Sequence, residues 1–201
     1  MNDNKRRLEA AALLAMAVAV LLSVVRFDAR CRSVEDEVLR LHVIANSDSA
    51  EDQALKLAVR DAVLRAGGEL FASCASKADA QALVKARLDD LRQVAEAVVR
   101  DHGYSYPVQV TLSPCRFPTR TYGDVTLPAG TYDAVRVILG AGEGQNWWCV
   151  MFPPLCLPAA GDAATLADVL AAPALQTVKE NPKYELRFWV VEKLRALKNG
   201  A

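Results

Sequence analysis

The sequence predicts an α+β protein: an N-terminal signal or anchor helix, followed by one domain with a mostly antiparallel sheet packed by two or three helices. Three observations support this prediction. They are an uncharged apolar stretch behind a basic cluster, two long segments with helical spacing, and four short runs with the spacing of strands. The chain has 201 residues, of which 52% are hydrophobic, which is enough for one domain with its own core.

The charge balance argues against one class of partner. The sequence holds 24 basic and 24 acidic side chains, so its formal net charge is zero. A chain of this kind has no general electrostatic attraction to nucleic acid, and we predict no nucleic-acid partner.

The N-terminal segment has the pattern of an export leader. Lys5, Arg6 and Arg7 precede an uncharged stretch at 10–25. The stretch is shorter than the roughly 20 residues of a bilayer-spanning helix, but it fits the apolar region of a signal peptide or a short anchor. Basic residues ahead of it keep the N-terminus in the cytoplasm, so the rest is expected to cross the cytoplasmic membrane. A buried, alanine-rich core helix is the alternative, and the lack of a polar face argues against it.

The sequence leaves cleavage of this leader open. Val25 and Phe27 occupy positions where signal peptidase cleavage requires small residues, so both a secreted product and a tethered product are compatible with the pattern. Residues 26–36 are polar and are interpreted as a linker. We therefore predict a signal peptide or anchor plus linker at 1–30 and a single α+β domain at 31–201.

The domain begins with a strand at 38–45, in which apolar residues alternate along one face. Polar residues at 46–49 end this strand and open a helix, because Asp48 and Glu51 have the spacing of a capping box. The apolar stripe of the helix continues to the glycine pair at 67–68, which is predicted to end it.

One long helix is then predicted over 77–101, followed by three strands. The strands are expected at 107–112, 132–139 and 147–152. Glycines between the last two predict that these strands form a hairpin closed by a loop. The proline pair at 153–154 should end the last strand, because proline donates no backbone hydrogen bond. The tail is predicted to be helical at 165–171 and 183–197.

No cofactor or metal site is predicted. The only histidines, His42 and His102, do not lie in a metal-binding motif, and the five cysteines include no CxxC spacing. Gly140, Gly142 and Gly144 superficially resemble a phosphate-binding loop. No helix follows them to supply a positive N-terminus, so they are interpreted as a turn.

Cys149 has two alternative chemical interpretations. With His42 from another strand it could form a nucleophilic pair in an exported hydrolase. Its apolar neighbours would raise the pKa of its thiol and reduce its reactivity, so no catalytic residue is predicted. Cys149 could also pair with Cys156 in a disulfide, which export permits. Two separately buried thiols are the alternative to that bond.

The segment from Asn146 to Leu155 is the strongest candidate for a binding surface. Trp147 and Trp148 are adjacent on a strand, so they must point to opposite faces of the sheet. Either both pack in the core, with help from the C-terminal helix, or one remains exposed beside the rigid Pro-Pro-Leu segment. An exposed tryptophan supplies a large contact area of the kind found at binding hot spots.

Several ordered blocks of the sequence resemble the stage II sporulation protein R family. They are LHVIANSDS at 41–49 with EDQ at 51–53 and VRDAV at 59–63, FPT and YG within 117–123, LPAG at 127–130 before Tyr132, NWWCVMFPPLC at 146–156, and ELRFWVVE at 185–192. The resemblance spans about residues 38–197. It is therefore more specific than any single short motif.

What the resemblance implies is a developmental signal of endospore-forming bacteria. Members of the family are made in the forespore and exported into the space between its membrane and that of the mother cell. There they activate a membrane-embedded aspartic protease of the mother cell, which processes the sigma-E precursor. The signal itself is not an enzyme. The implied partners are the extracytoplasmic part of that protease and, through the N-terminal segment, the membrane.

On this interpretation the protease-docking surface combines an aromatic–proline segment with a polar loop. Its candidate residues are Trp147, Trp148, Pro153, Pro154, Leu155, Asn46, Ser47 and Asp48. Two other functions stay open at this point. One is an exported cysteine-dependent hydrolase, and the other is a module that binds cell-wall material or a small ligand through its tryptophans.

Overall fold

The computed structural model describes residues 2–71, 73–123, 125–153 and 170–179, together with Lys193. Its helices are α1 (Asn2–Glu37), α2 (Ala50–Phe71), α3 (Lys77–Ala86), α4 (Leu88–Asp101) and α5 (Ala172–Lys179). Its strands are β1 (Leu39–Ile44), β2 (Val108–Phe117), β3 (Arg120–Tyr122), β4 (Val125–Leu127), β5 (Gly130–Leu139) and β6 (Asn146–Phe152). These elements confirm the α+β class. Apart from residues 170, 171 and 193, the helices predicted at 165–171 and 183–197 lie outside the described residues.

Helix α1 is continuous from the apolar leader into the folded domain. The helix is long and apolar enough to cross a membrane, a test that a signal sequence also passes, and its apolar stretch is exposed. The interpretation of 26–36 as a linker is wrong, because these residues form the last turns of α1. Phe27, Cys31, Val34 and Val38 recur at helical spacing and are buried. The polar residues between them are the reason why this segment was interpreted as a linker.

The main sheet has four strands in the order β2-β5-β1-β6. Strand β5 runs parallel to β1, whereas β2 is antiparallel to β5 and β6 is antiparallel to β1. The predicted hairpin between β5 and β6 is therefore wrong, because β1 lies between these two strands. The glycine-rich segment crosses the end of β1, where the Gly144 amide donates to the Ala45 carbonyl at 3.0 Å.

The core has two parts, one on each face of the sheet. Leu39, Leu41 and Val43 of β1 face helices α2, α3 and α4. On the opposite face, Tyr132, Ala134 and Val150 pack with the end of α1, the β3–β4 pair and α5. Strand β1 is buried on both faces, which explains why its sequence alternates only weakly between apolar and polar residues.

The helix boundaries differ from the sequence pattern in two places. Helix α2 continues through the glycine pair to Phe71, because Gly67 lies against Met151 of β6 and the buried Phe71 extends the apolar stripe. The single helix predicted over 77–101 is two helices, with a break at Arg87. Strand β2 also extends five residues beyond its predicted end, and the short β3–β4 pair was not predicted.

Candidate functional site

The loop after β1 interlocks with the glycine-rich loop after β5. Asn46 lies at the centre of this contact: its side-chain oxygen accepts from the Ala141 amide at 2.9 Å, and its amide group donates to Asp52 at 2.8 Å. Asp48 accepts from the Gln145 amide at 2.8 Å. The parallel pairing of β1 and β5 brings both loops to the same edge of the sheet. Two sequence blocks that are about 90 residues apart thus form one structural unit.

Two charged side chains are buried beneath these loops. Asp52 accepts from the Ser47 hydroxyl at 2.6 Å, and Lys56 donates to the Gln145 carbonyl at 3.1 Å. Burial alone would raise the pKa of Asp52, but hydrogen bonds from Ser47 and Asn46 hold it below its usual value. Burial lowers the pKa of Lys56. Asn46 and Ser47 therefore have a clear structural role, and the exposed Asp48 is the member of the predicted polar trio most open to a partner.

Trp147 and Trp148 lie on opposite faces of β6, as the strand geometry requires, and both are half-buried. The guanidinium of Arg60 lies 4.3 Å from the centre of the Trp147 ring. Trp148 stacks on His42, with ring centres 3.9 Å apart, and packs edge-on against Phe117. Each indole is thus held by neighbours while part of its surface remains accessible.

Arg40 is fully buried on the same face as Trp148. Its Nε donates to the Cys149 carbonyl at 2.8 Å and one terminal nitrogen donates to the Tyr122 hydroxyl at 2.7 Å. The other terminal nitrogen has no hydrogen-bond acceptor within the described ranges. The guanidinium lies 4.2 Å from the Phe117 ring centre and 4.9 Å from that of Tyr132. Burial lowers the pKa of Arg40, partly offset by the two tyrosines. No ion pair involves Arg40 in the described part of the chain.

A cysteine and a histidine do meet in space, but the cysteine is Cys115. Its sulfur lies 3.6 Å from Nδ1 of His42, whose Nε2 lies 2.6 Å from the side-chain oxygen of Asn146. Strand β5 lies between β2, which carries Cys115, and β1, which carries His42. No local pattern indicates this contact, because 73 residues separate the two side chains and only the strand order brings them together.

Cys149 is disulfide-bonded, so its sulfur is not an available nucleophile. The interpretation of Cys149 with His42 as a catalytic pair is therefore wrong. Register places Cys149 opposite Leu41, on the face of the sheet that His42 does not share. Cys31, Cys74 and Cys115 form no disulfide. Cys156 lies outside the described residues, so its pairing with Cys149 stays a prediction.

The remaining docking candidates follow β6 in the sequence. Pro153 is buried and directly follows the strand, whereas Pro154 and Leu155 lie outside the described residues. Within the described ranges, no group of three or more His, Cys, Asp or Glu side chains is arranged to hold a metal ion.

Comparison with known proteins shows the family to which the chain belongs. The family model described as "Stage II sporulation protein R (spore_II_R)" matches residues 35–161. The chain belongs to this family. It is also 37% identical, over 123 residues, to stage II sporulation protein R of Bacillus subtilis (strain 168). That alignment covers 61% of this chain and 55% of the relative, so the chain spans about half the length of the relative that it matches. No solved structure matches.

The stage II sporulation protein R match begins inside α1 and ends beyond β6. It therefore contains both interlocked loops, both tryptophans and the buried Arg40. It also begins before Val38, at the buried end of α1, which agrees with the packing of that end against the sheet.

Proposed function

We propose that this chain is an exported sporulation signal that activates a membrane-embedded aspartic protease in the neighbouring compartment, leading to processing of the sigma-E precursor. The observation that carries the proposal is the family match over residues 35–161, joined to an exposed apolar helix that precedes the matched region. The signal acts on the protease by binding and does not cleave the precursor itself.

The continuous α1 indicates where the domain would lie relative to the membrane. The apolar part of the helix would lie in the membrane unless the leader is cleaved. The buried end of the helix, with Val34 and Val38, packs into the domain. With the leader retained, the domain would be held close to the membrane surface, within reach of the extracytoplasmic part of a membrane protease. With the leader cleaved before Phe27, the packed part of α1 would remain in a secreted domain.

Activation requires that the domain bind the active conformation of the protease more tightly than the inactive one. We propose that the contact is made by the accessible parts of Trp147 and Trp148 together with Asp48, adjoining Pro154 and Leu155. Half-buried indoles held by Arg60 and His42 lose little conformational entropy on binding, which favours their use as anchors. Asn46, Ser47 and Pro153 would support the contact by holding the loop and the strand end.

The test of the function is co-expression of the full-length chain, the protease and the precursor substrate in a bacterium that does not sporulate. We expect cleavage of the precursor only when all three proteins are present. Cleavage without this chain, or no cleavage with all three produced and inserted, would contradict the proposal. A C-terminal fusion to a reporter that is active only in the cytosol should be inactive, because an intracellular domain could not reach the receptor.

The two tryptophans provide a matched pair for mapping the contact. They are the same residue type, adjacent and half-buried, but they lie on opposite faces of β6. Because the proposed contact includes both indoles, Trp147→Ala and Trp148→Ala should each lower precursor cleavage by at least about tenfold, which is the effect of about 1.4 kcal/mol in binding. Leu155→Ala tests the adjoining segment. Full cleavage with every one of these variants, each folded and exported, would exclude this surface.

A further inference from the structure

The side chains around Cys115 form a chemical site that the signalling role does not use. We propose that Cys115, His42 and Asn146 constitute a nucleophilic thiol site that accepts the acyl group of esters or thioesters. The thiol, the imidazole and the amide oxygen follow one another in this order, joined by contacts of 3.6 Å and 2.6 Å. This is the arrangement of a nucleophile, its base and a residue that orients the base.

The hydrogen bond to Asn146 fixes the role of each imidazole nitrogen. The amide oxygen of Asn146 can only accept, so Nε2 of His42 carries the proton and Nδ1 is left with its lone pair. That lone pair faces the sulfur of Cys115. Trp148, stacked at 3.9 Å and 15° to the imidazole, keeps the ring in this orientation. Asn146 acts through His42 and is therefore a positioning residue.

The protonation states suit a general-base mechanism. Burial lowers the pKa of His42, the Asn146 hydrogen bond opposes that change, and the charge of Arg136 lowers the pKa further. Burial raises the pKa of the Cys115 thiol, against the opposing charges of Arg136 and Arg40. The resting pair is thus a neutral thiol beside a neutral imidazole. The proton moves as the sulfur attacks, rather than beforehand.

Two unpaired donors lie in the same region. Nε of Arg136 and one terminal nitrogen of Arg40 are buried and have no hydrogen-bond acceptor among the residues that the structure describes. Both guanidinium charges act on the Cys115 thiol. Buried N–H groups of this kind stabilise an oxyanion that develops beside a nucleophile. The half-buried position of Cys115 leaves part of the site open to solvent.

The reaction with an ester is balanced without any further reagent. The sulfur of Cys115 forms a bond to the carbonyl carbon while its proton passes to Nδ1 of His42. The bond from that carbon to the alcohol oxygen then breaks, and the alcohol leaves with the proton from Nδ1. The product is a thioester on Cys115, which water hydrolyses to a carboxylic acid and the free thiol.

The experiment uses p-nitrophenyl acetate with the full-length protein in detergent micelles, following nitrophenolate release and locating the acetyl group by mass spectrometry. We expect one acetyl group per chain, on Cys115. His42→Gln should slow this acetylation about 100-fold, at the low end of the range for general-base assistance. Asn146→Ala should also slow it, and Asn146→Asp, which still accepts from Nε2, should restore most of the rate.

Two controls keep the result decisive. Cys31 and Cys74 are buried thiols outside any disulfide, and they should remain unmodified in the folded protein. A synthetic peptide covering 111–119 gives the reactivity of the same cysteine without His42. The proposal is overturned if Cys115 in the folded chain reacts no faster than in the peptide, or if the acetyl group is found on lysine. This comparison needs no substituted protein, so it holds even if a His42 variant does not fold.

Discussion

Replacement of Arg40 tests how a buried charge without a carboxylate partner is tolerated. Its guanidinium makes two hydrogen bonds, at 2.8 Å and 2.7 Å, and is surrounded by the rings of Phe117, Tyr122 and Tyr132. Hydrogen bonds from a charged donor contribute about 1.5–3 kcal/mol each. Desolvation of the charge costs several kcal/mol in the opposite direction. The two effects should nearly cancel, which leaves packing to decide the outcome.

Arg40→Met and Arg40→Ala separate these contributions. Methionine keeps most of the packed volume and removes the desolvation cost, so the unfolding free energy should change by less than about 2 kcal/mol. Alanine leaves a cavity and should cost about 4 kcal/mol or more. The measurement is urea-induced unfolding of the full-length chain in micelles, followed by tryptophan fluorescence. Equal losses for the two variants would refute the reasoning, because they would mean that the charged hydrogen bonds outweigh desolvation.

Tyr122 supplies a second, independent check on Arg40. Its hydroxyl accepts from Arg40 and donates to the Trp148 carbonyl at 3.0 Å, so it joins β3 to the edge strand β6. A double-mutant cycle of Arg40→Met with Tyr122→Phe should give a coupling of about 0.5–3 kcal/mol. A coupling near zero would mean that the buried guanidinium and the tyrosine act separately.

Three further predictions concern pH, the loops and the disulfide. Burial lowers the pKa of His42 in the folded state below 6.5, so on acidification the unfolded chain takes up a proton at this histidine before the folded chain does. The unfolding free energy should therefore fall as pH drops below about 6.5, and His42→Gln should reduce this pH dependence when the unfolding free energy is measured across pH. In urea unfolding, Gly140→Ala should destabilise the chain more than Gly123→Ala. Both glycines have φ near +60°, but only at Gly140 would a Cβ collide with the Asn46 side chain. Equal losses of unfolding free energy would contradict the interlocked loops. Peptide mapping without reduction should join the Cys149 peptide to the Cys156 peptide, because the other three cysteines form no disulfide, and alkylation of Cys156 in the unreduced chain would exclude this pairing.

Local patterns predicted most of the elements of the domain. Strand β1 lies within its predicted range, and β6, which holds both Trp147 and Trp148, starts one residue before its predicted position. These predictions succeeded because apolar spacing and capping residues act over a few positions. Helix ends were predicted less well. Gly67 does not end α2, since its contact with Met151 depends on a strand more than 80 residues later.

The order of the strands could not be predicted from neighbouring residues. A glycine-rich loop between two strands usually indicates a hairpin, and here it crosses the end of β1 instead. The hydrogen bonds of Asn46 to the glycine-rich segment make this crossing favourable. They join residues about 95 positions apart, so no local pattern contains them.

By itself, the sequence determined the apolar leader, the α+β class, the family and the opposite orientation of Trp147 and Trp148. These follow from composition, spacing and block order, which are all properties of short segments. The tertiary structure alone decided that β1 is central, that Arg40 is buried without a carboxylate partner, and that Cys115 rather than Cys149 meets His42. Each of these depends on which strand lies beside β1, and hydrogen bonds between distant strands fix that arrangement.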